Sequence, residues 1–305
     1  MTISISVVTC AHNPRPDYVE AVTAALRRQT LDRSNWEYVL IDNASRNPLA
    51  ELVDLGWHEN ARHVREEKMG LTAARLRGIQ ESLGATIVFV DDDNVLDPDY
   101  LENVAALVNN WPMIGAFSGQ VRPSFEQEPP SWTQKYWNRL AIREFDRDRW
   151  SNIPMLDDTT PNGAGLCVAR KVATEYARYH TNGMRSFVLD RSGESLLSAG
   201  DLDLATTACD LGLGNGLFAS LRLTHLMPAQ RLEEPYLLRL LEDQTFSAVV
   251  LESFRRKHYS ETRAGFSSAL AARLREMRGT ARDRRFNKAA KKGLARAQVY
   301  LSGTP

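Results

Sequence analysis

The chain has 305 residues, a hydrophobic fraction of 43%, and 38 basic against 38 acidic side chains. That length suits one large domain or two smaller ones, and no apolar run reaches the roughly 18 residues that a membrane span needs. The three cysteines, Cys10, Cys167 and Cys209, are scattered, which excludes a disulfide framework and a zinc site of ordinary ligand spacing.

Strand and helix patterns alternate through the first third. Residues 3–10 read as a strand, and the chain opens straight into it without a basic leader or cleavage site. We therefore expect no signal peptide and a cytoplasmic setting, with a peripheral place at the inner membrane face as a variant. Pro16 suits a first helical turn, and Tyr18, Val22, Ala25 and Leu26 give a helical stripe ending near Gln29. Residues 36–41 are the next strand, ending on Asp42. A short helix from about Pro48, a short strand at 63–64 and a helix over 71–83 follow, with Gly84 as its stop. Residues 86–90 form a strand, 98–110 an amphipathic helix, and 114–118 another strand. Such alternation predicts a mostly parallel sheet, which binds ligands at the carboxyl ends of its strands.

Three polar clusters fall at those ends: Ala11-His12-Asn13, Asp42-Asn43-Ala44-Ser45 and Asp91-Asp92-Asp93-Asn94. The third is the most informative. Three adjacent carboxylates repel, and a divalent cation relieves that repulsion; in an extended strand Asp91 and Asp93 would face the same ligand. The plainer alternative is a solvated acidic turn before the helix that Asp97-Pro98-Asp99 starts. Farther on, residues 129–150 read as an irregular, partly helical insert. Asn162-Gly163-Ala164-Gly165 leads into an apolar run at 166–169 and a helix from Lys171. Asp201 lies near the N-terminus of a helix, residues 217–223 form a strand ending near His225, and the chain is helical from Pro235.

No G-x-G-x-x-G follows the first strand, and no G-x-x-x-x-G-K-[ST] occurs anywhere. This disfavours a dinucleotide oxidoreductase and a P-loop nucleotidase. A nucleotide-type sheet bearing carboxylates binds a diphosphate only through a cation, here Mg²⁺ or Mn²⁺.

Taken in order, these segments resemble a family 2 glycosyltransferase with the GT-A fold, from Ile3 to about Leu241. Residues 6–13 are similar to the family's opening strand and loop. Ile41-Asp42-Asn43-Ala44-Ser45 resembles its second strand, and Lys68-Met69-Gly70-Leu71-Thr72-Ala73-Ala74-Arg75 the segment near the donor phosphates. Asp91-Asp92-Asp93 resembles the DxD motif, Gly200-Asp201-Leu202-Asp203 the general-base motif, and His225-Leu226-Met227-Pro228 with Arg231 the strand and loop over the diphosphate. The resemblance implies an α/β fold: a Rossmann-like mixed sheet flanked by helices. It implies a GT-A domain over 1–234, with a nucleotide-sugar half (1–119) and an acceptor half (120–234), then a helical basic extension over 235–305.

It also implies an inverting, non-processive enzyme that moves one sugar from a nucleotide-diphosphate sugar to a glycan or lipid-linked acceptor, in surface polysaccharide biosynthesis. Asp201 would be the catalytic base, with an N-cap as its compatible plain role and Asp203, otherwise a solvated helix residue, as understudy. Asn13, Asp42, Ser45, Arg75, Asp91, Asp92 and Arg231 would bind the nucleotide sugar, with Arg77 a further phosphate candidate. Asp93 and His225 would hold the metal. Asp42 alone reads equally as a turn-former.

Two departures stand out. Gly200 occupies a position that is usually Glu, which keeps a catalytically silent sugar-nucleotide or glycan-binding module as an alternative. Gln230-Arg231-Leu232 lacks the Trp of processive synthases. A GT-A-like nucleotidyltransferase is a second alternative, but Ala11-His12-Asn13-Pro14 is not the basic, Gly-rich loop that it needs. Trp132, Trp137 and Trp150 read as core packing or as a stacking platform for a sugar.

The neutral net charge hides an asymmetry. Residues 255–296 hold fourteen Lys and Arg against three acids, a net +11, so the remainder carries −11. The basic segment suits an anionic membrane surface, or packing on the acidic body or in a homodimer. Nucleic acid is disfavoured, because no binding motif appears and aromatics are sparse after Tyr259.

Overall fold

A computed structural model of the chain describes residues 3–155, 158–193, 195–256 and 280–303. The chain divides into two compact units. One comprises Met1–Val188 with Gly200–Ala229, the other Leu189–Ala199 with Gln230–Pro305.

The first unit is built on a mixed sheet. Its parallel half consists of β1 (Ile5–Ala11), β2 (Trp36–Asn43), β3 (Ala61–Glu66) and β4 (Thr86–Phe89), in the order β3-β2-β1-β4. β1, β2 and β4 are buried along almost their whole length because both their faces are covered. One face packs against α1 (Pro16–Arg27), the one-turn α2 (Leu49–Leu52) and α4 (Tyr100–Asn110), through Val22, Leu26, Leu49, Leu101 and Val104. The other packs against α3 (Leu71–Glu81), α5 (Arg170–Thr181) and α6 (Gly200–Asp210), through Ala74, Val172, Tyr176 and Leu204. Each fully buried aliphatic side chain in these layers contributes about 1.5–3 kcal/mol.

Beyond β4 the expected parallel order gives way to a mixed one. β8 (Leu166–Ala169) is antiparallel to both β4 and β6 (Ile114–Phe125), whereas β6 and β9 (Gly214–Met227) run parallel. Two short strands, β5 (Asn94–Leu96) and β7 (Arg149–Ser151), are antiparallel to β9. β6 and β9 are longer than the sequence suggests, since their outer halves mix polar with apolar residues. α3 stops at Glu81, before Gly84. Gly84 serves instead where the chain passes tightly over the backbone of Ile5 and Ser6.

The end of the sheet away from the polar clusters is pinned by a fully buried carboxylate. Glu37 accepts from Ser6 Oγ (2.5 Å), the Leu83 amide (2.5 Å) and Arg62 Nη1 (2.6 Å). Removing it takes the acceptor from the Ser6 hydroxyl and the Leu83 amide and one partner from Arg62. Glu37→Ala is expected to cost about 3 kcal/mol in urea unfolding; a loss under about 0.5 kcal/mol would show that water replaces the carboxylate.

In the second unit, α7 (Glu234–Arg256) and α8 (Ala281–Ser302) pack in parallel. Phe246 meets Tyr300 edge-on, and Gly293 lies so close to α7 that a Cβ there would sit 2.2 Å from the Glu242 carbonyl oxygen. Arg285 and Arg282 hold the Glu234 carboxyl down at about 2. The segment Leu189–Ala199 follows α7, with the Leu196 amide donating to Asp243 Oδ2 (3.0 Å). The basic run at 255–296 lies partly outside the described residues.

Candidate active site

β2, β1 and β4 are adjacent and parallel, so their carboxyl ends deliver three loops to one edge of the sheet. The first two loops are locked together. The Asn13 amide donates to Ser45 Oγ (2.9 Å), and the Arg46 amide donates to Asn13 Oδ1 (2.9 Å). Asn13 and Ala44 both have left-handed backbones, at φ +48° and +54°. Asn tolerates that region, whereas at Ala44 it costs roughly 1–2 kcal/mol and is held by these contacts.

Asp42 is 4% exposed and organises this turn. Its Oδ1 accepts from the Ser45 amide (2.9 Å), and its Oδ2 from the Leu49 amide (3.1 Å) and Arg65 Nη1 (2.7 Å). Burial opposes its ionisation, but the Ser45 amide and the Arg65 guanidinium outweigh burial and hold the carboxyl below its usual range. Both oxygens of the carboxylate are thus engaged. Arg65 reaches Asp42 because the two are register partners across β2 and β3. Asn43, absent from the sequence candidates, ties in the loop before α3. It donates to the Glu66 and Lys68 carbonyls (3.2 and 2.8 Å) and accepts from the Gly70 amide (2.8 Å).

The three acids do not continue the strand. β4 ends at Phe89, and Asp91–Asp93 form a tight turn into β5, closed by the Asn94 amide donating to the Asp91 carbonyl (3.0 Å). Alternation along an extended strand therefore does not orient these side chains. Asp91 and Asp92 are partly exposed, and Asp93 is 6% exposed. Asn94 and His225 are register partners across β5 and β9, which brings Asp93 Oδ2 to 3.3 Å from His225 Nε2. His225 is buried to the same degree, and Asn94 Nδ2 donates to Asp93 Oδ1 (2.8 Å). A carboxylate and an imidazole at this separation match two neighbouring ligands of an octahedral cation, which at bond lengths of 2.0–2.1 Å are about 3 Å apart. Among the described residues no three His, Cys, Asp or Glu side chains form a complete cage.

Asp201 lies in the first turn of α6 and is partly exposed. Its Oδ2 accepts from the Gly163 amide (2.6 Å) and its Oδ1 from the Leu202 amide (2.8 Å). Arg75, on α3 and 4% exposed, brings its Nη2 to the same side of Gly163 as Asp201 Oδ2. The expected base and one expected phosphate contact are thus neighbours. Asp203 is not the solvated helix residue expected. It is 2% exposed and bound bidentately by Arg185, Nε at 2.6 Å and Nη2 at 2.9 Å, with the Arg185 guanidinium stacked 4.7 Å from the Tyr179 ring. Its place on the inward side of α6 decides this, and only the fold reveals Arg185 as its partner.

Other candidates fall elsewhere. Arg77 forms an ordinary i,i+4 ion pair with Glu81 (2.9 Å) on α3. Arg231 belongs to the second unit, on the 3-10 turn Ala229–Leu232. The tryptophans form no common platform. Trp137 packs on Phe125, Trp132 on Tyr136, and Trp150 on Trp111. Trp150 is paired with Gly216, which along β9 is about 30 Å from His225.

The chain is similar to several known proteins. The sequence model of Glycosyl transferase family 2 matches residues 6–170, more than half of the chain. EpsH of Bacillus subtilis is 27% identical over 105 residues, which is 34% of this chain and 30% of that protein. The glucosyl-dolichyl phosphate glucuronosyltransferase of Haloferax volcanii is 27% identical over 121 residues, which is 39% of this chain and 37% of that protein. The chain thus spans about a third of the length of these curated relatives. Among solved structures, S. aureus TarS 1–349 aligns with a TM-score of 0.53 at 13% identity, covering 99% of this chain and 92% of that one. Its complex with UDP-GlcNAc also gives 0.53, at 12% identity, covering 94% and 79%. At such identities the likeness is one of fold, the GT-A arrangement of a mixed sheet flanked by helices. The sequence match runs from β1 through β8 and takes in Asn13, Asp42, Arg75 and Asp93, and the chain belongs to glycosyl transferase family 2.

Proposed function

We propose that the chain is an inverting, metal-dependent glycosyltransferase that moves one sugar from a nucleotide-diphosphate sugar to a glycan or lipid-linked acceptor, in assembly of a surface polysaccharide. The observation that carries this reading is Asp201: a partly exposed carboxylate at a helix start, held by the Gly163 amide and flanked by Arg75. In the single displacement, the acceptor hydroxyl oxygen attacks the anomeric carbon from the face opposite the diphosphate. Its proton passes to the Asp201 carboxylate. The bond from carbon to the diphosphate oxygen breaks, its electron pair leaves with the nucleoside diphosphate, and the anomeric centre is inverted.

Asp93 and His225 would hold Mg²⁺ or Mn²⁺, which would supply neutralisation of the diphosphate's charge. Mg²⁺ is commonly held by one or two carboxylates and completes its shell with phosphate oxygens and water, so Asp93 as a single carboxylate suffices as its anchor. Arg75 adds a fixed positive charge beside the base. The locked Asn13–Ser45 turn, with Asp42 beneath it, is the platform for the nucleoside. Gln230-Arg231-Leu232, without a following Trp, favours a single addition. Among the described residues no helix is long and apolar enough to cross a membrane. The UDP and UDP-GlcNAc complexes of TarS support the donor class, and the dolichyl phosphate in the Haloferax enzyme's name supports a lipid-linked acceptor.

A thermal-shift screen of nucleoside diphosphates with and without Mn²⁺ tests the reading. One nucleobase is expected to raise the melting point, and only with metal; ligand at about 100 times its Kd adds about 2.7 kcal/mol. No shift with any nucleoside diphosphate would sink it.

A further inference from the structure

β6 and β9 end at the same edge of the sheet as β1, β2 and β4, because β8 is antiparallel to both β4 and β6. The two strands finish side by side, with Phe125 paired to Met227 just beyond His225. Glu126 then takes hold of the end of β9 twice. Its amide donates to the Met227 carbonyl (3.1 Å), and its Oε2 accepts from the Ala229 amide (3.1 Å). The other carboxylate oxygen faces the first loop. Glu126 Oε1 accepts from the Tyr18 hydroxyl (3.0 Å) and from Arg15 Nη1. Arg15 is itself aimed: its Nε and Nη2 donate to Asp17 (3.2 and 2.7 Å), and its guanidinium lies 4.0 Å from the centre of the Tyr18 ring. Arg15 closes the short connection from β1 to α1 that carries Asn13, and Tyr18 lies in the first turn of α1. All of these residues belong to the first unit.

Exposed ion pairs such as these add little to stability. What this network does is join loops. On one side, Asn13 is bonded to Ser45 and to the Arg46 amide of the second loop. On the other, the Leu226 amide donates to the Asp93 carbonyl (2.8 Å), which ties the end of β9 to the Asp93–His225 pair. Glu126 stands between the two halves, and the Ala229 amide and Arg15 keep its carboxyl below the usual range, so it is ionised at neutral pH. We propose that Glu126 is a positioning residue that sets the spacing between the nucleoside platform and the Asp93–His225 pair. It acts through the two loops and not on the reacting atoms. A ligand that spans two subsites binds best when they are held at the right distance beforehand, and surface loops left to shift lose that preorganisation. The inference rests on the reading of the site given above.

The test is calorimetry of the full chain with UDP, GDP, CDP and dTDP, each with Mn²⁺ and with EDTA. For the diphosphate that binds, Glu126→Ala is expected to weaken binding about 10-fold with Mn²⁺, the lower end of what groups that orient metal ligands are worth, and to change binding in EDTA by less than about 2-fold. Glu126→Gln should fall in between, since its one carbonyl oxygen can serve Ala229 or Tyr18 but not both. On a His225→Ala background Glu126→Ala should change nothing further, because the second subsite is already lost. A merely structural role would lower the melting point and weaken binding equally with and without metal, and that result overturns the proposal. So does a Glu126→Ala variant that binds as the parent does with Mn²⁺. A parent that binds none of the four diphosphates, or binds one equally in Mn²⁺ and EDTA, overturns the reading of the site itself and the positioning role with it.

Discussion

Asp201→Asn is expected to lower turnover on the order of 10²–10⁴-fold while leaving donor affinity nearly unchanged. The substitution keeps size and shape but removes the acceptor for the hydroxyl proton. An Asn has one carbonyl oxygen, so it can satisfy the Gly163 amide or the Leu202 amide but not both as the carboxylate does. A stability loss of about 1 kcal/mol should accompany the kinetic effect and is too small to explain it. Single-turnover rates alongside equilibrium donor binding separate the two. Asp203 offers no rescue, since it is buried and committed to Arg185. Near-parental transfer by the Asn variant would therefore remove the base from this helix altogether.

Asp93→Ala is expected to reduce nucleoside-diphosphate affinity at least 100-fold in the presence of Mn²⁺, to the level that the parent shows in EDTA. Even second-shell partners of metal ligands are worth 10–100-fold, and Asp93 is proposed as a direct ligand. His225→Ala should act in the same direction. Because both residues would serve one cation, the double variant should be little worse than either single one, whereas independent contacts would add. The folding cost is expected near 1 kcal/mol, from the lost contacts to Asn94 and His225. Calorimetry that finds equal affinity with and without metal in the parent would end the metal assignment and leave Asp93 as a structural tie between β5 and β9.

How much of this was legible beforehand varied with distance along the chain. Asp42 was read correctly as standing at a strand end, yet its engagement by Arg65 depends on β2–β3 register, which periodicity does not encode. Asp91–Asp93 looked like the end of an extended strand because Ile87, Val88 and Phe89 precede it. The turn appears only once Asn94–Leu96 pairs with β9. A strand of three residues leaves too short a pattern to detect. The tryptophans read as core packing or as a platform because they are close in sequence, and the sheet, carrying Trp150 to the far end of β9, leaves each on its own aromatic neighbour.

From sequence alone came the alternation of strands and helices, the parallel first half of the sheet, and the polar loops at its carboxyl edge. These follow from local periodicity and the sequence of breaks, which any short window contains. The tertiary structure alone decided the antiparallel partners of β4 and β6, the Asp93–His225 pair, the meeting of Asp201 with Gly163 and Arg75, and the burial of Asp203 on Arg185. It also set Arg282, Arg285, Lys292 and Arg296 of α8 against acids of α7. Each of these contacts joins distant segments, and its free energy is realised only when packing fixes register and helix rotation; a charge pattern gives the sign of such an interaction but not its partner.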